Sequence, residues 1–278
     1  MALQGTGAAS EVPRADFQLS KAAEVKKAAD DPQLQEHDDD TTRPVATVQR
    51  GMLVLDAFLH ANGTLTLAEI AALTGLYKST TARILRTLEQ QEYLVRTANG
   101  DFHVGPSLLQ LATCYQQAVQ PEEGVIPFLR ALVDQTQESA CYVVPLNEGR
   151  IMLHRVHSSH ALRDHGLPGD VTPLDRGAGG HVLRAFLHGQ ARDRAIRERL
   201  LAVTTGEIES GMLGMASPVF DRAGGCVGAV ALTGPAQRFT PEAIRQWEPP
   251  LLRAAQGVTV QLGGNGRLFE AALASHRD

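Results

Sequence analysis

Residues Leu65 to Leu88 read LTLAEIAALTGLYKSTTARILRTL, and this stretch decides the fold of the first half of the chain. Thr66 is placed to cap a helix over Leu67 to Leu73, with Glu69 near its start. Gly75 sits where two helices must turn sharply, and glycine takes a positive φ there without steric cost. A second helix follows from Lys78 to Gln91. Its inward face would be Thr81, Ile84, Leu85 and Leu88, spaced i, i+3, i+4, i+7. Upstream, Val48, Met52, Leu55 and Leu59 recur at helical spacing and predict another helix, ended by Asn62-Gly63. Downstream, Tyr93 to Thr97 reads as a strand, Asn99-Gly100 as a hairpin turn and Phe102 to Val104 as the return strand. Three helices followed by a hairpin make a winged helix-turn-helix.

A helix-turn-helix lays its second helix in the major groove, with base-reading residues toward the N-terminal end. Here that end is Tyr77-Lys78-Ser79-Thr80, and the outward face continues through Ala82, Arg83 and Arg86. Arg83 can donate bidentately to guanine O6 and N7, a contact worth about 1–3 kcal/mol of discrimination. Ser79 and Thr80 can reach bases or phosphates, while Lys78 and the helix amides suit a phosphate. Arg96, in the hairpin, suits the flanking backbone. The alternative is a solvated helix face in a winged helix that docks onto a protein, attached to an enzyme or binding module. Residues 43–105 carry six Lys/Arg against five Asp/Glu. The order of elements therefore carries the DNA reading, not basicity.

The 278 residues have a net charge of −5, which excludes a polybasic nucleic-acid binder, and no apolar run is long enough for a membrane span. The start of the chain lacks the charged and apolar regions of a secretion signal, so a cytoplasmic location is expected. Residues 1–42 read as a disordered tail, with six acids and no Lys or Arg between Asp30 and Asp40. The winged helix occupies 43–105 and a connector helix 106–121, ended by Pro121. The second half, 122–278, alternates helices and strands and predicts an α+β domain with an antiparallel sheet. Strands are expected over Cys141–Pro145, Ile151–Val156, Met215–Phe220 and Val227–Thr233, and helices over Gly124–Gln137, Gly179–Leu187, Ala191–Leu201 and from Thr240 toward Leu262. Cys114, Cys141 and Cys226 are far apart and in no metal spacing, which predicts buried reduced thiols.

The second half offers several chemistries. His154, His157 and His160 are spaced by three, but the alternation of Ile151–Val156 puts His154 and His157 on opposite faces of a strand, which argues against a metal. Arg155 and Arg176 can each fork onto a carboxylate ligand or make a surface salt bridge. Ala178 and the glycines around it can offer backbone N–H groups to an anion at a helix start. There is no Gly-x-Ser-x-Gly, no Walker loop and no Gly-x-Gly-x-x-Gly. No catalytic residue, metal or cofactor is therefore expected.

The segment Leu65–Leu88 resembles the helix-turn-helix of the isocitrate-lyase-regulator (IclR) family, in which a similar stretch carries Lys-Ser-Thr and Arg-Leu-Leu. The resemblance continues in order through Phe102-His103-Val104-Gly105-Pro106, Pro173-Leu174-Asp175-Arg176-Gly177-Ala178-Gly179-Gly180, Gly206-Glu207 to Gly211, Ala216–Asp221 and Val230–Pro235, spanning about Ala46 to Gly263. It implies a linker helix, a GAF-like C-terminal domain for a small organic effector (an organic acid or aromatic compound) and double-stranded operator DNA as partner. It also implies homodimers or dimers of dimers through the N-terminal and linker helices. Carried over position by position, the effector residues are Gly177, Ala178, Thr204, Met212, Gly214, Ala231 and Thr233. Two departures stand out. Gly180 occupies a position where the family usually has Lys, and the segment between His188 and Thr205 is shorter than the family's.

Overall fold

The computed structural model describes residues 45–61, 63–119 and 124–275. The acidic tail read at 1–42, together with Asn62 and Pro121, lies outside them. The chain divides into two compact units, Met1–Gln116 and Gln117–Asp278.

In the first unit, α1 (Ala46–Asp56) runs into a 3-10 turn at Ala57–His60, followed by α2 (Leu67–Thr74), α3 (Lys78–Gln90) and the hairpin strands β1 (Leu94–Arg96) and β2 (Phe102–Val104); α4 (Pro106–Val119) follows, and the boundary between the units falls within its last turn. Thr66 caps α2 in a full capping box. Its Oγ1 accepts from the Glu69 amide at 3.2 Å while Glu69 Oε2 accepts from the Thr66 amide at 2.8 Å. The Thr66 amide, and the Thr66 hydroxyl that also donates to Glu69 Oε2 at 2.8 Å, hold the Glu69 carboxyl below the usual range. Gly75 turns the chain with φ 67°. Thr66→Ala is expected to lower the stability of this unit by about 1 kcal/mol, read as a shift of the denaturant midpoint at unchanged slope. Thr66→Ser should recover most of it.

Val54, Phe58, Ile70, Leu85, Leu94 and Phe102 form the core of this unit. Of the apolar stripe read along α1 and the turn after it, Leu55 packs partly buried against this core, but the other three residues face outward. Val48, Met52 and Leu59 are exposed, while Val54 and Phe58 point inward. Leu109, Leu111 and Tyr115 on α4 are likewise exposed. Helical spacing identifies a stripe, but not which of two stripes the domain buries.

The second unit is a six-stranded antiparallel sheet in the order β5-β4-β3-β8-β7-β6, built from β3 (Ser139–Leu146), β4 (Gly149–Val156), β5 (Val171–Pro173), β6 (Ala202–Thr205), β7 (Met212–Phe220) and β8 (Cys226–Pro235). The two short edge strands β5 and β6 were not among the expected strands. Three or four residues give too little alternation to register in sequence. Helices α5 (Ile126–Thr136) and α8 (Pro241–Gln261) cover one face, packing Leu129, Leu132, Leu251 and Leu252 against Leu213, Met215, Val230 and Leu232. Helix α6 (Gly177–Leu187) covers the other, setting Ala178, Val182 and Leu183 against Cys141, Ala216, Ala229 and Ala231. Alternation along β7 and β8 thus sends large side chains to one face and alanines to the other, and the alanines let α6 approach closely. The short segment before Thr205 still holds a 3-10 turn (Ala191–Asp193), α7 (Arg194–Arg199) and β6. A short α9 (Glu270–Ala274) follows α8. No described helix is long and apolar enough to cross a membrane.

Candidate functional site

The first surface is the head of α3. Thr81 and Leu85 are buried, which turns the opposite side of the helix to solvent. Lys78, Ser79, Arg83 and Arg86 are exposed and Thr80 is half-buried. Tyr77, at the N-cap, is 86% exposed and supplies no side-chain hydrogen bond to the helix. The first amides of α3 therefore stand beside Lys78 with no side-chain cap over them, the arrangement that attracts a phosphate oxygen. Arg96 is only partly available. Its Nε donates to Gly100 O at 3.3 Å and its guanidinium lies 5.6 Å from the centre of the Phe102 ring, so it braces the wing it stands on.

The second surface lies on the sheet face that α6 covers. Thr204 on β6 is in register with Gly214 on β7, and Gly214 with Thr233 on β8. The three form one row across neighbouring strands. A Cβ on Gly214 would lie 3.7 Å from Ala178 Cβ and 3.8 Å from Thr204 Oγ1, so the first turn of α6 sits directly over this row. Met212 and Ala231 lie two residues along their strands on the same face. Ala231 is 5% exposed and in register with Ala216 and Cys141, which makes it part of the packed layer under α6. Thr204 also lines an open depression of about 430 Å³ between α6, α7 and β6, shared with His181, Arg184, Asp193 and Glu207.

Both polar ends of this row are occupied by the protein's own carboxylates. At the head of α6, Gly177 N donates to Glu207 Oε2 at 2.7 Å, and His181 Nε2 lies 2.7 Å from the same oxygen. At the other end, the Asp164 carboxylate pairs with Arg155 and accepts from Thr233 Oγ1 at 2.9 Å, while Arg155 Nη2 lies 3.3 Å from Thr233 Oγ1. Arg155 was read as free to take a ligand or as a surface ion pair. It is an ion pair, but its side chain is only 1% exposed. Arg176 is exposed on the turn into α6.

Arg150 on β4 carried no signal in the sequence. Its Nη1 donates to Pro173 O and Arg176 O, both at 2.7 Å, and the side chain is buried. Burial pushes its pKa down to about 10, a shift that the charges of Cys141, Glu207 and Asp175 oppose. The guanidinium lies in a cradle of glycines. A Cβ on Gly177 would come within 2.9 Å of Arg150 Nη2, and a Cβ on Gly180 would run into Nη1 and meet Leu174 O at 2.7 Å. Gly177 also has φ 70°, where a side chain is strained. Gly180 thus replaces the family's Lys at a place where the space is filled by a cation from another strand.

The three histidines do not converge. His154 stacks on Tyr142 at 6.4 Å, its Nε2 is buried without a partner, and burial holds its imidazole below the usual pKa. His157 and His160 are exposed. Among the described residues no group of His, Cys, Asp or Glu is placed to hold a metal ion. Of the thiols expected to be buried, Cys141 is buried, Cys226 is half-buried with its pKa pushed up to about 11 by burial, and Cys114 is exposed on α4.

Two sequence-family models match. The IclR helix-turn-helix domain covers residues 47–98 and the bacterial transcriptional regulator IclR C-terminal domain covers 190–260. The chain belongs to the IclR family. This IclR-family protein is 24% identical over 252 residues to the transcriptional repressor IclR of Escherichia coli, covering 80% of this chain and 92% of that one. It is 28% identical over 250 residues to the glycerol operon regulatory protein of Streptomyces coelicolor, covering 80% and 98%. In fold it is similar to an IclR transcriptional regulator from Silicibacter sp. TM1040 (TM-score 0.71, 24% identity, 79% of this chain and 97% of that one). It is also similar to an IclR homolog complexed with 4-hydroxybenzoate from Microbacterium hydrocarbonoxydans (TM-score 0.64, 19% identity, 78% and 99%). The IclR-family protein is a transcriptional regulator with a helix-turn-helix DNA-binding domain and a C-terminal α/β domain.

Sequence reasoning thus named the exposed head of α3 and the row under α6. It missed Arg150, Asp164 and Glu207. Glu207 lay inside a quoted motif, Gly206–Gly211, whose acid gave no hint of its contact with Gly177. Asp164 sits in a polar loop with no periodicity to mark it.

Proposed function

We propose that this regulator binds double-stranded operator DNA through α3 and the wing, and that a small organic effector, an organic acid or aromatic compound, bound by the second unit alters that affinity. The carrying observation is the exposed Lys78, Ser79, Arg83 and Arg86 on one side of α3, opposite the buried Thr81 and Leu85. In this reading 43–105 is the DNA-binding domain, 106–121 the linker and 122–278 the effector domain. Lys78 and the helix amides take phosphates, Ser79 and Thr80 bases or phosphates, Arg83 and Arg86 read bases, and Arg96 contacts backbone from the wing. The effector contacts Gly177, Ala178, Thr204, Met212, Gly214 and Thr233, with Ala231 forming the floor. The acid complex of the Microbacterium homolog supports that ligand class. Two copies pair through the exposed apolar residues of α1, the turn after it and α4, a reading that rests on the exposure of Val48, Met52, Leu59, Leu109 and Tyr115.

Fluorescence anisotropy with the promoter DNA of its own gene tests this. Binding should be sequence-selective and fall steeply with salt as phosphate contacts release counterions. Arg83→Ala should cost about 1–3 kcal/mol against the operator, and much less against random DNA. Equal losses on both would make Arg83 a phosphate contact, and no selective binding at all would remove the operator reading.

A further inference from the structure

Arg155 rises from β4 onto the sheet face beside Cys141 and Ala231, and its guanidinium is almost fully enclosed. Its Nε also lies 3.3 Å from His157 Nδ1 and its Nη1 3.8 Å from Met152 Sδ. Its ion-pair partner is Asp164, a residue of the 157–170 stretch between β4 and β5, and the charge of Asp170 at the end of that stretch also favours the guanidinium. That stretch is fastened mainly at its ends. Ser158 Oγ donates to Gln137 O at 2.6 Å and Ser158 N to Ser139 Oγ at 3.0 Å at one end, and Gly169 N donates to Met152 O at 2.7 Å at the other. Between them, Leu162 is 67% exposed and Leu167 57% exposed. Asp164 with Arg155 and Thr233, and Arg238 Nη2 with Leu162 O at 3.2 Å, fasten the middle.

A buried guanidinium is strongly disfavoured without an anion, because an uncompensated buried charge has lost its hydration and gained nothing in return. Exchange of one carboxylate for another keeps the balance, and Asp164 on an exposed loop can move into water while its replacement enters. Thr233, a carried-over effector residue, already hydrogen-bonds the carboxylate at this seat. We propose that the Arg155–Thr233 seat is the carboxylate-binding subsite of the effector, and that Asp164 is an intramolecular stand-in which an acid ligand displaces, freeing the middle of the 157–170 loop. The proposal rests on the effector reading of the second unit and narrows it to ligands bearing a carboxylate. It also makes Asp164 a specificity element, since a neutral ligand that took the same place would not replace the charge Asp164 sets against Arg155.

The test uses the full chain and formate as the probe. Asp164→Ala vacates the seat without removing Arg155. Its melting temperature is expected to fall below wild type and to be restored by formate or acetate, but not by chloride at equal ionic strength or by formamide. The apparent formate affinity of Asp164→Ala should exceed that of wild type by about 10-fold or more, because the wild-type seat is open in only a small fraction of molecules. Arg155→Met should abolish the formate effect in both backgrounds. Should Asp164→Ala fail to fold, Asp164→Asn is titrated instead and must show the same preference of formate over formamide. Rescue by chloride or formamide as strong as by formate, or equal formate affinity in wild type and variant, overturns the proposal. The two readings fail separately. If only neutral compounds release the operator complex, the effector reading holds and the carboxylate seat is overturned. If formate restores Asp164→Ala but no compound alters operator binding, the seat stands and the effector reading falls.

Discussion

Leu85→Ala is expected to unfold the helix-turn-helix at temperatures where the second unit remains folded. Leu85 is 1% exposed and, with Val54, Phe58, Ile70, Leu94 and Phe102, makes up the buried core of the first unit. Cutting a fully buried leucine to alanine costs about 2–5 kcal/mol, the lost transfer energy plus the cavity left behind. A small domain has only about 5–15 kcal/mol in total, and this core is made of just six buried side chains. The loss should appear as an early thermal transition by circular dichroism, with operator binding gone. The fluorescence of Trp247, the single tryptophan and a residue of the second unit, should report an unshifted later transition. Leu85→Met, which keeps most of the volume, should cost less than about 1.5 kcal/mol. A Leu85→Ala protein that melts in one transition with the Trp247 signal would show that the first unit does not unfold on its own.

The second large effect is at Gly180. Giving this position the lysine usual in the family should destabilise the second unit by about 3 kcal/mol, the upper range for overpacking a close-packed site. The Cβ would run into Arg150 Nη1 and come within 2.7 Å of the Leu174 carbonyl, and the new ammonium would lie beside a buried cation. Gly180→Ala should cost somewhat less, since it adds the steric part alone. Arg150→Met should also destabilise, because Pro173 O and Arg176 O lose their donor. In the double variant Arg150→Met/Gly180→Lys the costs should not add. Removing the guanidinium vacates the space the lysine needs, so a favourable coupling of about 1 kcal/mol or more is expected in a double-mutant cycle. Additive losses would mean that Arg150 and Gly180 do not share one space. All four proteins are compared by chemical denaturation followed at Trp247.

How much was legible differs between the two units, for a physical reason. The winged helix is built from short-range signals. Thr66 and Glu69 cap α2 three residues apart, Gly75 turns the chain in place, and Asn99-Gly100 closes the hairpin between adjacent strands. Each signal acts within a few residues, and the string can be read directly. Even there the outward stripe on α1 was not identifiable, because Val48-Met52 and Val54-Phe58 are both spaced as helix faces and only packing against Leu85 and Ile70 selects the second. In the second unit the strands β3, β4, β7 and β8 were visible as apolar runs. The three-residue β5 was not, and its neighbour β4 brings in Arg150.

The sequence by itself determined the succession of helices, turn and wing, the exposed cations at the head of α3 and the antiparallel α+β character of the second half. Capping, turn chemistry and apolar period are properties of neighbouring residues. Only the tertiary structure decided what stands at the two ends of the candidate effector row. Asp164 meets Thr233 across 69 positions and Glu207 meets Gly177 across 30. Such pairings follow from strand order and from the close approach of α6 over a floor of alanines, and no local pattern records them.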